Sequence, residues 1–357
     1  MTTTTSAAAQ LDVQIVQSDD ILNRLAGWNR LMARLGQTSL SRHPGWLEVF
    51  RRGFQHEPFC LVGIEAGETV GLMALALVES RLFGRFLVSL PYLNSGGVLA
   101  ADAPTATALV DRAAELADRW DVRYLELRHE HPIEHPKLGH TMTSKVHMRL
   151  PLPGTTEALW NSFKPKVRNQ IRKGEKAEFS LHWGGETLLD EFYDVFARNM
   201  RDLGTPVFGR RLFRAIVTQF PDQAEFCVAR SGNRPAAAAL LLHGGGTTEV
   251  PSASALRRYN PSNVNMLMYW HLLCRAVERG QATFDFGRSS QQSNTYRFKK
   301  QWGAEPHPAC WQYYVRQGTV GDMRPEGGKY DRMIRLWQRL PVWLTRLIGP
   351  PIVRGIP

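Results

Sequence analysis

Phe284-Asp285-Phe286-Gly287-Arg288, followed across a polar loop by Tyr296-Arg297-Phe298-Lys299-Lys300-Gln301-Trp302-Gly303, is the most telling stretch of this 357-residue chain. Residues 283–286 alternate in polarity as a short core strand does. The residues after that strand are polar, cationic and turn-rich, which suits a site at the end of a sheet better than it suits packing. Working outward, the spacing predicts a long helix over 263–279, closed by Gly280. Before it come three strands, at 224–231, 234–244 and 247–255, with Ser231-Gly232-Asn233 as the first turn. Helices are predicted over 188–203 and 210–220. Residues 156–176 read as helical, with a break at Pro165, and 309–315 reads as the last strand.

The first half carries the same order. Helices are expected over 20–35, ended by Gly36, and at 43–50. Strands are expected at 59–64 and 69–79, joined by Glu65-Ala66-Gly67-Glu68. A third helix over 105–120 and a strand at 122–128 complete it. Helix–hairpin–helix–strand thus occurs twice. The fold class is α/β (α+β), with two tandem domains at 11–150 and 151–318, each a mixed, largely antiparallel sheet flanked by helices. Residues 1–10 read as a disordered leader without the apolar core of a secretory signal. Residues 319–357 read as a basic amphipathic tail, loop-like at 321–328 and interrupted by Pro341. Such a tail either packs on the domain body or lies at a membrane interface.

The formal net charge is +11, which favours an anionic partner. Cys60, Cys227, Cys274 and Cys310 are scattered, so neither a zinc site nor a disulfide scaffold is expected, and buried thiols in a cytoplasmic protein are. The histidines at 129, 131, 135 and 140 lack helical ligand spacing, and no metal is expected. Gly244-Gly245-Gly246 lacks the Gly-Lys-Ser/Thr of a phosphate loop and reads as a turn. No run of apolar residues is long enough to span a bilayer. No RNA-binding motif of the aromatic-basic kind occurs, and no DNA partner is expected.

The opening stretch resembles the FemAB-like branch of the GNAT superfamily, and more narrowly the FemAB-related proteins associated with exosortase/PEP-CTERM exopolysaccharide systems. Lys164-Pro165-Lys166-Val167-Arg168-Asn169-Gln170-Ile171-Arg172-Lys173, Leu203-Gly204-Thr205-Pro206-Val207-Phe208, Arg210-Arg211-Leu212-Phe213 and the closing Gly349-Pro350-Pro351 fit the narrower group. The resemblance covers the chain from about residue 164 onward. It implies two GNAT-like domains, no bound cofactor, and transfer of an acyl or aminoacyl group to an amine or hydroxyl of a cell-envelope or exopolysaccharide precursor. The donor would be acyl-coenzyme A or aminoacyl-tRNA and the acceptor would bear phosphate. The resemblance also puts Lys299 at the acceptor phosphate.

Acyl transfer needs a proton acceptor and a stabilised oxyanion. Asp285 and Lys299 are the expected catalytic pair. Asp285 either takes or orients a proton, or merely caps a turn or pairs with Arg288. Arg288, Tyr296, Phe298 and Trp302 are expected to line the acceptor site, with Tyr92 facing the same interdomain cleft. Lys166, Arg168 and Arg172 either meet a phosphate-rich ligand or form a solvated helix face. Arg257, Tyr259 and Asn263 precede the long helix, whose free amides suit an anionic donor such as coenzyme A or charged tRNA. The GNAT pyrophosphate loop, Q/R-x-x-G-x-G/A, is absent there. A cytoplasmic protein is expected, peripheral at the inner membrane face if its tail meets the membrane rather than the domain body. The other class that fits is a non-catalytic scaffold for an anionic polysaccharide intermediate.

Overall fold

The structure is a computed structural model that describes residues 10–17, 20, 22–80, 83–319 and 331–356. Nine residues of the expected leader, and the loop expected at 321–328, lie outside the described residues. Two sheets organise the chain. The first has the order β1 (Asp12–Gln17), β2 (Pro58–Glu65), β3 (Glu68–Ser80), β4 (Gly84–Ser89), β6 (Tyr124–His129), β15 (Cys310–Val315), β7 (His140–Met142), with β5 (Leu99–Ala100) on β3. The second runs β14 (Glu305–Pro308), β8 (Lys145–Pro151), β13 (Thr283–Ser290), β12 (Thr247–Ala255), β11 (Arg234–Gly244), β10 (Ala224–Ser231), β9 (Phe179–Gly184). Each sheet is antiparallel except for one pair: β4 with β6, and β12 with β13. The predicted mixed, largely antiparallel tandem architecture is therefore what the chain adopts.

The helices form for local reasons. α1 (Leu25–Arg34) and α2 (Gly45–Phe54) occupy the expected places. α3 (Ala103–Arg119) starts where Asp102 accepts the Thr105 N–H at 2.8 Å. Pro165 splits α4 (Thr156–Ser162) from α5 (Pro165–Glu175), sitting where its missing N–H costs nothing. α6 (Leu189–Leu203) and α7 (Arg210–Gln219) lie on one side of the second sheet, while α8 (Val264–Glu278) carries α5. Residues 294–301, expected only as the end of a polar loop and an aromatic-basic run, form α9 (Asn294–Gln301), whose first turn is capped by the Ser293 hydroxyl accepting the Tyr296 N–H at 3.2 Å.

A boundary at 150 does not separate the sheets. β8 begins at Lys145 yet pairs with β13 and β14 in the second sheet, and β15 returns to pair with β6 and β7 in the first. Each half lends the other a strand, because an alternating strand satisfies either sheet equally and only the path of the chain decides. The halves are also joined by apolar packing. One buried cluster runs from Trp46, Phe50 and Phe54 of α2 into Phe213 and Phe220, with Trp46 and Phe220 ring centroids 5.4 Å apart. Gly245 (φ +58°) lies against the Thr38 carbonyl, where an added Cβ would stand 2.2 Å from the oxygen. Only glycine permits that approach, which closes one wall of the cleft between the halves.

Candidate active site

The Phe-Asp-Phe-Gly-Arg stretch is a β-bulge. β13 and β8 shift register between Asp285 and Arg288. Gly287 takes φ +76°, a conformation glycine adopts without steric cost. Its N–H donates to Asp285 Oδ1 at 2.7 Å. Its carbonyl and that of Arg288 each accept from Lys299 Nζ at 3.0 Å. Burial pushes the Lys299 ammonium down to about 8 against the opposing pull of Asp285. Lys299 is thus a staple across the bulge.

On the other edge, β13 pairs in parallel with β12 only from Thr247–Thr283 to Glu249–Asp285, and there the strands part. Glu249 and Asp285 face each other at that last step. Both line a cleft of about 400 Å³ between the two halves, together with Ser41, Arg42, Glu130, His147 and Arg149. Arg149 grips Glu130 through two hydrogen bonds, 2.9 and 2.7 Å, and its Nε donates to Asp285 Oδ2 at 2.9 Å. Burial alone would raise the Glu130 carboxyl, but the Arg149 hydrogen bonds carry it down to about 2. Glu249 goes the other way. Burial, then the negative charge of Asp285, raise it to about 7, against hydrogen bonds from Ser41 and the pull of Arg149.

His147 is 1% exposed and stands 3.9 Å from Asp285 Oδ2, with neither ring nitrogen hydrogen-bonded among the described residues. Burial lowers its pKa, so it is neutral near pH 7. Arg42 is pushed down by burial and held up by Glu130 and Glu249, and its side chain makes no ion pair within 4 Å among the described residues. The cleft therefore holds two carboxyl groups (Asp285, Glu130) on one arginine, a third carboxyl raised to about 7, a neutral imidazole and a second arginine.

Of the residues expected here, Asp285 reaches the cleft, and its other oxygen caps Gly287; its arginine partner is Arg149, not Arg288. Arg288 stacks on Trp311, 3.4 Å from the ring centroid, and Arg128 approaches the same ring at 4.1 Å. Trp302 is 1% exposed and packs on Phe163; Phe298 packs edge-on to Tyr269. Both are core. Tyr296 is half-buried on α9, beside Lys300. Tyr92 does not face the cleft: it stacks on Phe54 and donates its hydroxyl to the Arg354 carbonyl at 2.7 Å. Lys166 and Arg172 are exposed on α5, Arg172 over Trp160, and Arg168 is half-buried; none of the three lines the cleft. Arg257 donates to the Asp202 carbonyl, Tyr259 meets Phe179, and Asn263 (φ +54°) starts α8 without a side-chain cap. Glu249, Arg149, His147 and Arg42 were not singled out by their sequence context. An acidic residue inside the strand Thr-Thr-Glu-Val, and polar residues alternating in His147-Met148-Arg149-Leu150, were the available signals.

Residues 161–300 match the family model of the acetyltransferase (GNAT) domain. That segment is therefore similar to a GNAT acetyltransferase domain. Among solved structures, that of FemX is similar over 81% of this chain and 96% of that one, at 14% identity and a TM-score of 0.61. A tandem GNAT protein from the clavulanic acid biosynthesis pathway is similar over 87% and 100%, at 14% identity and a TM-score of 0.55. The C-terminal domain of a protein assigned as a lysylphosphatidylglycerol synthetase from Agrobacterium fabrum is similar over 82% and 92%, at 10% identity and a TM-score of 0.52. At these identities the likeness is one of fold, and it agrees with the tandem arrangement of the sheets. No curated protein matches the chain.

Proposed function

We propose that the chain transfers an acyl or aminoacyl group to an amine held in the cleft, with Glu249 as the general base. The carrying observation is a carboxyl raised to about 7 where β12 and β13 part, facing Asp285. A base tuned near the working pH is what proton removal from an amine requires. Glu249 takes the proton from the ammonium form, the amine attacks the donor carbonyl, and the C–N bond forms as the C–S bond of a thioester or the C–O bond of an aminoacyl ester breaks. The leaving thiolate or alkoxide takes up a proton. The three carboxyl groups of the cleft suit an ammonium group, and Arg42 suits an anionic group, such as a phosphate, on the same acceptor.

GNAT-fold enzymes use acyl-coenzyme A, and the opening beyond Glu249 and Asp285, with the start of α8 at Asn263, is where a donor fits this reading. The missing Gly-rich loop at 257–263 keeps aminoacyl-tRNA as the competing donor. The fold shared with FemX and with the assigned lysylphosphatidylglycerol synthetase supports a cell-envelope acceptor, and the residue resemblance supports an exopolysaccharide precursor. Among the described residues no helix is long and apolar enough to cross a membrane. The proposed place of action is the cytoplasmic face.

Glu249→Gln is expected to lower kcat by about 10²–10⁴-fold with the fold unchanged by circular dichroism. Full activity in that variant overturns the assignment. Donor binding over a range of salt separates the two donors: a steep loss of affinity marks the many phosphate contacts of tRNA.

A further inference from the structure

The last two helices, α10 (Asp331–Arg339) and α11 (Val342–Val353), both lie against α6. Their inner faces are satisfied. Ile334 closes on Gly204, Gln338 donates to the Asp202 carbonyl at 3.2 Å, and the Leu340 carbonyl accepts from Arg201 at 3.0 Å. Thr345 is 1% exposed and Gly349 rests on Val207. Packing on the body therefore accounts for one side of each helix.

A second apolar stripe remains on the outside. Met333 is 65% exposed, Leu336 63%, Trp343 67% and Leu347 67%. Met333 and Leu336 are three apart and Trp343 and Leu347 four apart, so each pair shares a helix face. Exposed Arg332, Arg335 and Arg339 flank the stripe, and none makes an ion pair among the described residues. Exposed Arg257 joins them, because its guanidinium shares the Asp202 carbonyl with Gln338. Large apolar tips between unpaired arginines match the depth profile of a bilayer with anionic headgroups, in which the arginines meet phosphates and the tips enter the acyl boundary. A helix that only packed on the body would carry polar residues on this face.

We infer that α10 and α11 form a docking surface for an anionic lipid bilayer. The surface lies apart from the cleft and stands whether or not Glu249 is the base. The test is co-sedimentation of the full chain with vesicles of phosphatidylcholine alone or with phosphatidylglycerol added. The wild type is expected to sediment with the anionic vesicles, weakly with the neutral ones, and to be released by high salt. The triple variant Leu336→Ser/Trp343→Ser/Leu347→Ser, and separately Arg332→Ser/Arg335→Ser/Arg339→Ser, should each lose at least ~10-fold in partitioning while circular dichroism and melting stay unchanged. Glu249→Gln should bind vesicles as the wild type does, which separates this surface from the transfer reading. The inference is overturned if the wild type ignores anionic vesicles at low salt, or if the folded triple variants bind as well. It is also overturned if the apolar variant instead converts a wild-type dimer to a monomer in light scattering, which would assign the stripe to a second copy of the chain.

Discussion

At the scale of single residues, the proton on Glu249 is the quantity to follow. Its pKa is raised above the ordinary carboxyl value of 4.5, first by burial and then by Asp285, to about 7. Between those values the folded state holds a proton that the unfolded state has released, so stability falls as pH rises through that window. A base must be ionised, so activity rises over the upper end of the same range. The kcat/KM profile should show an acid limb near pH 7, absent from the residual activity of Glu249→Gln. That variant should also melt higher than the wild type above pH 7. Lys299 has the opposite sign: its pKa is lowered from 10.5 to about 8, so the unfolded state binds more protons between them and stability rises with pH there. Its hydrogen bonds to the Gly287 and Arg288 carbonyls make it a support of the bulge. Lys299→Met should therefore cost about 1–3 kcal/mol in urea unfolding by leaving those half-buried carbonyls without a donor. The sequence put Asp285 and Lys299 in one short motif, and in the fold both bond to the backbone of the same bulge. It did not show Glu249, whose meaning comes from a partner 36 positions away on the neighbouring strand.

At the scale of elements, α5 and α9 show how like composition leads to unlike roles. Lys166, Arg168 and Arg172 lie on a helix that faces solvent on one side and α8 on the other. Replacing all three by alanine should change stability by less than about 0.5 kcal/mol per site and leave KM for the acceptor unchanged. α9 has the same basic character, yet its Phe298 and the following Trp302 turn inward onto Tyr269 and Phe163. Trp302→Ala should cost about 3–5 kcal/mol by opening a cavity, measured as a drop in denaturant midpoint. Pro165 made the break between α4 and α5 legible, since the ring fixes a helix start. α9 was not legible: eight residues with a short, mostly polar pattern carry too little periodicity to distinguish a helix from a loop, and its start depends on the Ser293 cap.

At the scale of the whole molecule, the exchange of β8 and β15 ties the halves together. β8 is an inner strand of the second sheet, between β13 and β14. A fragment beginning at residue 151 lacks it and exposes the edge of β13. Such a fragment, and its complement ending at 150, should each fail to give a cooperative unfolding transition when expressed alone, whereas the full chain should give one. The sequence by itself determined much of the alternation of helices and strands, the tandem order, the turn that ends the strand at 283–286 and the basic amphipathic close. These are local properties, set by residue spacing of 2 and 3.6 and by caps, turns and prolines. The tertiary structure alone decided which sheet receives each strand, that Glu249 meets Asp285, that Arg149 rather than Arg288 holds that aspartate, and that Tyr92 turns to the C-terminal segment. Those pairings join residues far apart in the chain, and their energies arise from burial and charge in a cleft that exists only after both halves have closed on it.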